Sequence, residues 1–315
     1  MTNSETKLPR VLADGPLAPI ILETLAAEVD WVPWNAPSDE IVAVYTYGHP
    51  RVDGALLDRM PKVRVISNYG VGVDHIDLPA AAARNIPVGN TPGILDGATA
   101  DMGFALLLAS ARRVVEGDRY ARSPEFTVYD PGTMLGREVH SSTLGILGMG
   151  RIGAQVAKRA RGFDMQVLYH NRRRRPELED SPAVRYASLD ELLSASDYVM
   201  LCCPLSTETR GIIGAAALRK MKPTATLVNI ARGPVVDMQA LCEALQERRI
   251  AGAALDVTDP EPLPRDHPLL KLDNLTIAPH LGSATIETRR KMALMSIDNL
   301  RAGLAGKPLP NPVKV

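Results

Sequence analysis

The sequence predicts an α/β protein with two doubly wound parallel sheets, on three observations. Short apolar runs alternate with helix-period stretches, and the alternation starts twice, near Val11 and again at Leu144. The second start is followed at once by glycines 148, 150 and 153, set between an apolar run and a helical stretch. One long helical pattern then closes the chain before a proline-rich tail. The expected architecture is two Rossmann-like doubly wound domains with a cleft between them. One domain, residues 99–285, is inserted into a discontinuous second one made of 1–98 and 286–315.

In the first region Val11–Ala13, Ile41–Tyr45 and Val63–Ser67 read as strands, being short, apolar and β-branched. Pro19–Val29, Val52–Met60 and Asp77–Ala83 read as the helices around them. Ala98–Val115 reads as one long helix. Its apolar stretch, Met102–Ala111, is too short to cross a bilayer and reads as buried. In the second region six strands are expected, at Leu144–Leu147, Met165–Tyr169, Tyr198–Cys203, Thr226–Ile230, Gly252–Asp256 and Leu275–Ala278. Helices are expected between them, notably at Leu189–Ser194 and Met238–Arg248. The last helix, Ala284–Leu304, lines up Ala293, Ile297, Leu300 and Leu304 and is expected to return to the first region. The tail after Gly306 should be extended, and no repeat of solenoid period is present.

Bulk properties exclude several classes. A chain of 315 residues supports two domains with cores. Lys+Arg and Asp+Glu are equal at 36 each, so nothing points to nucleic acid or to an acidic membrane surface. Three cysteines, Cys202, Cys203 and Cys242, form no disulfide framework and fit a reducing cytoplasm. No spacing of His and Cys suggests a metal. The polar N-terminus lacks a signal-peptide core.

The glycines carry the first chemical statement. G-x-G-x-x-G is weak alone, but here it follows a strand pattern and opens a helix, with Ile152, Val156 and Ala160 at helical spacing and Gly162 able to end it. Gly148 permits a tight turn, Gly150 lets a pyrophosphate approach the backbone, and Gly153 lets helix and strand pack closely. The helix start, with Met149, Arg151 and Ile152, offers N–H groups and a positive dipole end to phosphates. The reading is a dinucleotide site.

The next strand ends in Tyr169-His170-Asn171-Arg172-Arg173. A site for NAD usually places an acid there to hold the ribose hydroxyls. An acid would repel a 2′-phosphate, whereas a guanidinium holds it through charge-assisted hydrogen bonds. Charge runs are usually only solvated, but this one begins at that particular strand end. Arg172, with Asn171 and Arg173 beside it, therefore points to NADPH in preference to NADH. Arg174 and Arg175 read as exposed.

Reducing a keto acid also needs a cation to orient it, an acid to protonate the developing alkoxide, and a group to hold that acid. Three candidates follow successive strands, where ligands bind in such sheets. They are Arg232 in Asn229-Ile-Ala-Arg-Gly-Pro, Glu261 in a stiff proline-flanked loop, and His280 in Ala278-Pro-His-Leu-Gly-Ser-Ala-Thr. A carboxylate bonded to one nitrogen of an imidazole fixes the ring and lets the other nitrogen donate. Singly each is more often an ordinary surface residue; three at adjacent strand ends are harder to dismiss.

These segments bring a family into view. The chain resembles the D-isomer-specific 2-hydroxyacid dehydrogenases along nearly its full length. The matching motifs are Tyr69-Gly-Val-Gly-Val-Asp-His-Ile-Asp77, Asn90-Thr-Pro, Leu147-Gly-Met-Gly-Arg-Ile-Gly153, Cys203-Pro-Leu, Asn229-Ile-Ala-Arg-Gly-Pro-Val-Val-Asp237, Asp256-Val with Glu261-Pro-Leu, and Pro279-His-Leu-Gly-Ser-Ala-Thr285. The resemblance implies that Arg232, Glu261 and His280 form the catalytic triad, and that backbone N–H groups of Val71 and Gly72 hold the substrate carboxylate. It implies that Thr99 approaches the nicotinamide, Asp256 holds its carboxamide, and Cys203-Pro204 runs beneath the adenosine. Ile230, Ala231, Gly282 and Ser283 complete the implied cofactor set. It also implies a homodimer through the dinucleotide domains.

Within that family the chain looks most like the glyoxylate/hydroxypyruvate reductases, including the branch that reduces 2-ketogluconate, which carry an arginine at the position of Arg172. Formate dehydrogenases carry glutamine where Glu261 stands. Phosphoglycerate dehydrogenases usually keep an acid at the ribose position and often add a regulatory domain. A nucleotide-sensing scaffold like the corepressors built on this fold is a reading of another class, separable by turnover.

Overall fold

The computed structural model describes residues 7–179 and 183–314. The chain divides into two compact units, Met1–Leu95 with Thr285–Val315, and Asp96–Ala284.

The first unit runs β1 (Arg10–Ala13), α1 (Pro19–Leu25), β2 (Asp30–Pro33), β3 (Ile41–Thr46), α2 (Gly54–Asp58), β4 (Ile66–Asn68), α3 (Leu78–Ala83) and β5 (Val88–Gly89). Its sheet is parallel, in the order β2-β1-β3-β4-β5. The predicted helix Pro19–Val29 stops at Leu25, and the predicted strand Val63–Ser67 shifts to Ile66–Asn68 because Val63 is spent in a turn onto Met60. Two strands, β2 and β5, escaped the sequence reading. The last helix, Ile286–Leu304, lies in this unit. Its Ser296 hydroxyl meets Tyr45 Oη at 2.7 Å, and its backbone carbonyl accepts from Ser67 Oγ at 2.7 Å. Gly303 lets it close on Val65, where a Cβ would overlap the valine side chain. The tail is extended and bridges β5 through Gly89 and Pro312.

The second unit begins with α4 (Asp96–Ala111) and α5 (Val114–Ala121), followed by β6 (Thr143–Leu147), α6 (Arg151–Arg161), β7 (Gln166–His170) and β8 (Val184–Tyr186). It continues with α7 (Leu189–Ala195), β9 (Tyr198–Leu201), α8 (Ala215–Lys220), β10 (Thr226–Asn229), α9 (Met238–Gln246), β11 (Gly252–Leu255) and β12 (Leu275–Ile277). Its seven-stranded sheet is parallel in the order β12-β11-β10-β9-β6-β7-β8. Strands β6, β9, β10 and β11 are buried on both faces, as crossover helices cover a parallel sheet. Six strands were expected; β8 is the seventh.

The predicted helix Ala98–Val115 is two helices. Arg113 takes φ 53, and the N–H of Arg137 caps the Ala111 carbonyl at 2.8 Å. Gly136 passes so close that a Cβ there would lie 3.0 Å from the Arg112 Cα. Neither arginine is a helix breaker, so tertiary contact ends the helix. The stretch Met102–Ala111 is helical, with Phe104, Leu106, Leu107 and Ala111 buried, as predicted. Among the described residues no helix is long and apolar enough to cross a membrane.

Candidate active site

In the second unit the sheet reverses its winding between β6 and β9, so the loops after these strands diverge and leave a crevice at the C-terminal edge. The glycine loop sits there, and each glycine has a steric reason. Gly148 takes φ 103, and a Cβ would lie 2.5 Å from the Cys203 backbone nitrogen. A Cβ on Gly153 would fall on the Gly148 carbonyl. A Cβ on Gly150 would meet nothing within 4 Å. Two glycines therefore serve internal packing, while the middle one faces open space at the N-terminus of α6, as a backbone does that admits a phosphate. The protein's own groups fit a dinucleotide.

The loop is tied to the next strand end. Asn171 Oδ1 accepts from the Met149 N–H at 2.7 Å, and its amide donates to the Met149 carbonyl at 3.3 Å. Met149 thus contributes as scaffold, with its side chain fully buried. Arg151 is mostly exposed and donates to Asp96 at 2.9 Å, and Ile152 is half-buried. His170, at the usual position of the acid, points its Nδ1 to the Ala187 carbonyl at 2.9 Å. Arg172 and Arg173 are exposed and form no ion pair among the described residues. Arg174 pairs with Glu179 and Arg175 with Glu177; Arg175 is half-buried, not exposed as predicted.

Cys203 lies under Gly148, with Pro204 exposed beside it. Burial pushes the Cys203 thiol up to about 11 and raises that of Cys202 as well. Neither is a thiolate nucleophile at neutral pH.

The ends of β10, β11 and β12 are neighbours in the sheet. Ile230 and Ala231 are buried after β10, and the Ala231 N–H donates to Asn229 Oδ1 at 3.0 Å. Asn229 Nδ2 donates to the Arg232 carbonyl at 2.9 Å, so one buried asparagine shapes the turn that presents Arg232. Gly233 then packs on the Thr258 carbonyl, where any side chain would clash. That contact seats the Arg232 turn on the loop leading to Glu261.

His280 Nδ1 and Glu261 Oε1 are 2.6 Å apart. His280 takes φ 56, a conformation costing an L residue about 1 kcal/mol or more. Asp256 holds it there. Its carbonyl accepts the His280 N–H at 2.9 Å, and its carboxylate accepts those of Leu281 and Gly282 at 2.6 and 2.7 Å. Burial pushes the Asp256 carboxyl above the usual range, and the two N–H groups pull it back. Gly282 packs between Asp256 and Thr99, while Ser283 is half-buried. Thr99, Asp256 and Gly282 are thus brought together, and the strained histidine is fixed from behind by an aspartate.

The first unit carries Val71 and Gly72 in the loop after β4. Asn68 Nδ2 donates to the carbonyls of Gly70 and Gly72, both at 2.9 Å, and Asn90 Nδ2 donates to that of Val71 at 2.8 Å. With the carbonyls held inward, the N–H groups of Val71 and Gly72 have no acceptor among the described residues. Two adjacent N–H groups without an internal acceptor are what an anion-binding nest requires. The sequence reading named Asn90 only as part of a family motif and missed Asn68; an amide two residues before the Gly-Val-Gly run, and another just past β5, were the available signals.

Residues 104–282 match the NAD binding domain of the D-isomer specific 2-hydroxyacid dehydrogenases. The chain is 51% identical to a glyoxylate reductase of Korarchaeum cryptofilum over 83% of its own length and 79% of that protein's. It is 44% identical to a glyoxylate reductase of Aeropyrum pernix, over 98% and 96%. Among solved structures it resembles an NADPH-dependent glyoxylate/hydroxypyruvate reductase of Sinorhizobium meliloti bound to NADP and malonate, at 30% identity and a TM-score of 0.88, covering 97% of this chain and 96% of that one.

Proposed function

We propose that this chain, which belongs to the D-isomer specific 2-hydroxyacid dehydrogenase family, reduces a small 2-keto acid, glyoxylate or hydroxypyruvate, to the D-2-hydroxy acid with NADPH as the preferred cofactor. The observation that carries the reading is the Glu261–His280 hydrogen bond at the C-terminal edge of a sheet whose glycine loop fits a dinucleotide.

When bound, the nicotinamide supplies the hydride that adds to the keto carbon. Gly148, Gly150 and Gly153 with Arg151 and Ile152 would hold the pyrophosphate, and Arg172 with Arg173 the 2′-phosphate. Cys203, Pro204, Ile230 and Ala231 would line the nucleotide, with Thr99, Asp256, Gly282 and Ser283 on the nicotinamide side. In the first unit, the adjacent N–H groups of Val71 and Gly72 suit an anion such as a carboxylate. The Arg232 guanidinium orients the carboxylate and keto oxygen and stabilises negative charge there. Glu261 holds Nδ1 of His280, so that Nε2 delivers a proton to the oxygen as the carbon is reduced. A proton on Nε2 is consumed in each turn and returns from solvent.

The preference for NADPH is supported by Arg172 and Arg173, which form no ion pair among the described residues while their two neighbours do, although the Glu208 carboxylate feels the charge of Arg172. The exposure of α5 and the segment after it supports the reading of a homodimer through this unit. No residue of α5 is buried, and Val114, Phe126, Val128, Tyr129 and Leu135 are exposed within that one stretch. Three free thiols fit the cytoplasm.

Initial rates of NADPH oxidation, with NADH in parallel, on glyoxylate, hydroxypyruvate and 2-ketogluconate test the assignment. Turnover on the first two with NADPH supports it. Preference for 2-ketogluconate moves the substrate to sugar acids with the same chemistry. NADPH binding without turnover on any of them overturns the reductase in favour of a sensor.

A further inference from the structure

The segment after β7 places four arginines in succession, Arg172 to Arg175, of which Arg174 and Arg175 form ion pairs, with Glu179 and Glu177. Glu179 is the more deeply buried of these two carboxylates. Its side chain is only 13% exposed and accepts three hydrogen bonds: Arg174 Nε at 2.8 Å, Arg174 Nη2 at 2.6 Å and Tyr169 Oη at 2.7 Å. Tyr169 is fully buried in β7, and the same hydroxyl accepts the backbone N–H of Arg175 at 2.8 Å. One carboxylate therefore fixes the far end of the arginine run by its side chain and, through a buried phenol, by its backbone. The near end is fixed separately by Asn171, clamped to Met149 of the glycine loop. Between the two staples stand Arg172 and Arg173.

We infer that Glu179 is a positioning residue for the 2′-phosphate site: it uses up Arg174, anchors the loop through Tyr169, and leaves Arg172 presented as a cation in a preset backbone. The inference rests on the reading of Arg172 as the 2′-phosphate ligand. A flexible loop loses conformational entropy when it closes on a ligand, and a braced loop has largely lost it already. Four unbraced guanidiniums would also repel one another and spread the loop. Glu179 is an anion near the place where a dianion is to bind, which would be counterproductive were its charge not covered. The bidentate fork of Arg174 covers it.

The test is binding, read without turnover. Dissociation constants for NADPH and NADH, by the fluorescence of the bound nicotinamide, and for adenosine 2′,5′-bisphosphate and adenosine 5′-monophosphate, by calorimetry, are compared in four proteins. These are the native chain, Glu179→Gln, Tyr169→Phe and Arg172→Ala. Tyr169→Phe keeps the buried ring and removes only the hydroxyl, so it folds even if the charge change at Glu179 does not. The expected result is that Glu179→Gln and Tyr169→Phe each weaken NADPH and the bisphosphate about 5- to 20-fold, the scale of one or two hydrogen bonds, while NADH and the monophosphate change less than about 2-fold. Tighter NADPH binding in Glu179→Gln overturns the inference, because Glu179 would then be a competitor of the phosphate. Equal losses for both cofactors overturn it too, making the network general scaffold. Arg172→Ala separates the two levels: an unchanged NADPH-to-NADH ratio there removes the 2′-phosphate reading itself, whereas a collapsed ratio in Arg172→Ala beside native behaviour in the other two removes only the brace.

Discussion

At the scale of single residues, the proposed chemistry rests on a histidine held in a conformation it does not prefer. His280 has φ 56, and the three N–H groups of residues 280–282 all run to Asp256. The strain is local and the restraint is buried, so ring placement depends on a residue that need not touch the reacting atoms. Glu261→Gln is predicted to keep the fold and lower kcat by about 100-fold, because a neutral amide no longer stabilises the imidazolium that must form and discharge. A steady-state kcat within about 2-fold of native would remove Glu261 from the proton-delivery step. Much of this was legible in the sequence: Arg232, Glu261 and His280 each stand just past a strand. The part that was not legible is the support. Nothing in Asp256-Val-Thr announces that the aspartate caps a turn 24 residues on at His280, because that contact is made only when β11 and β12 lie side by side.

At the scale of elements, the glycine loop was readable because its three constraints are local. Gly153 is the sharpest test of them, since a methyl there would fall on the Gly148 carbonyl. Gly153→Ala is expected to push α6 off β6, cost about 1–3 kcal/mol of stability, and weaken both NADPH and NADH. Thermal unfolding and cofactor titration check this; unchanged melting and unchanged binding would mean that the helix start tolerates the displacement. Elements set by tertiary contact were not readable. The break after Ala111 comes from residues 136–137 docking on the helix end, about 25 residues away in sequence. Strand β8 has only three residues and finds its place by pairing with β7. Helix α8 is six residues long, too short for a periodic signal.

At the scale of the whole molecule, exposed apolar residues and buried thiols make opposite statements about contact with solvent. The stretch from Val114 to Leu135 displays Phe126, Val128, Tyr129 and Leu135 to solvent, which a lone chain has little reason to do. Replacing Phe126 and Leu135 together by glutamate is predicted to convert a dimer to a monomer by light scattering. A native chain that already scatters as a monomer would remove the interface. Cys202, Cys203 and Cys242 all have thiols raised by burial, so none should react with a thiol reagent at pH 7.5 in the folded protein, and all three should react once it is unfolded. Rapid labelling of a native thiol would show that the cofactor-side cysteines are more open than their packing implies. The central claim is that His280 delivers the proton during keto-acid reduction. Its most direct test is one paired measurement on His280→Ala: hydroxypyruvate turnover with NADPH, and the NADPH dissociation constant of the same preparation. The predicted result is turnover lower by about 10²- to 10⁴-fold with NADPH binding within about 2-fold of native. Turnover that survives with binding intact would contradict it.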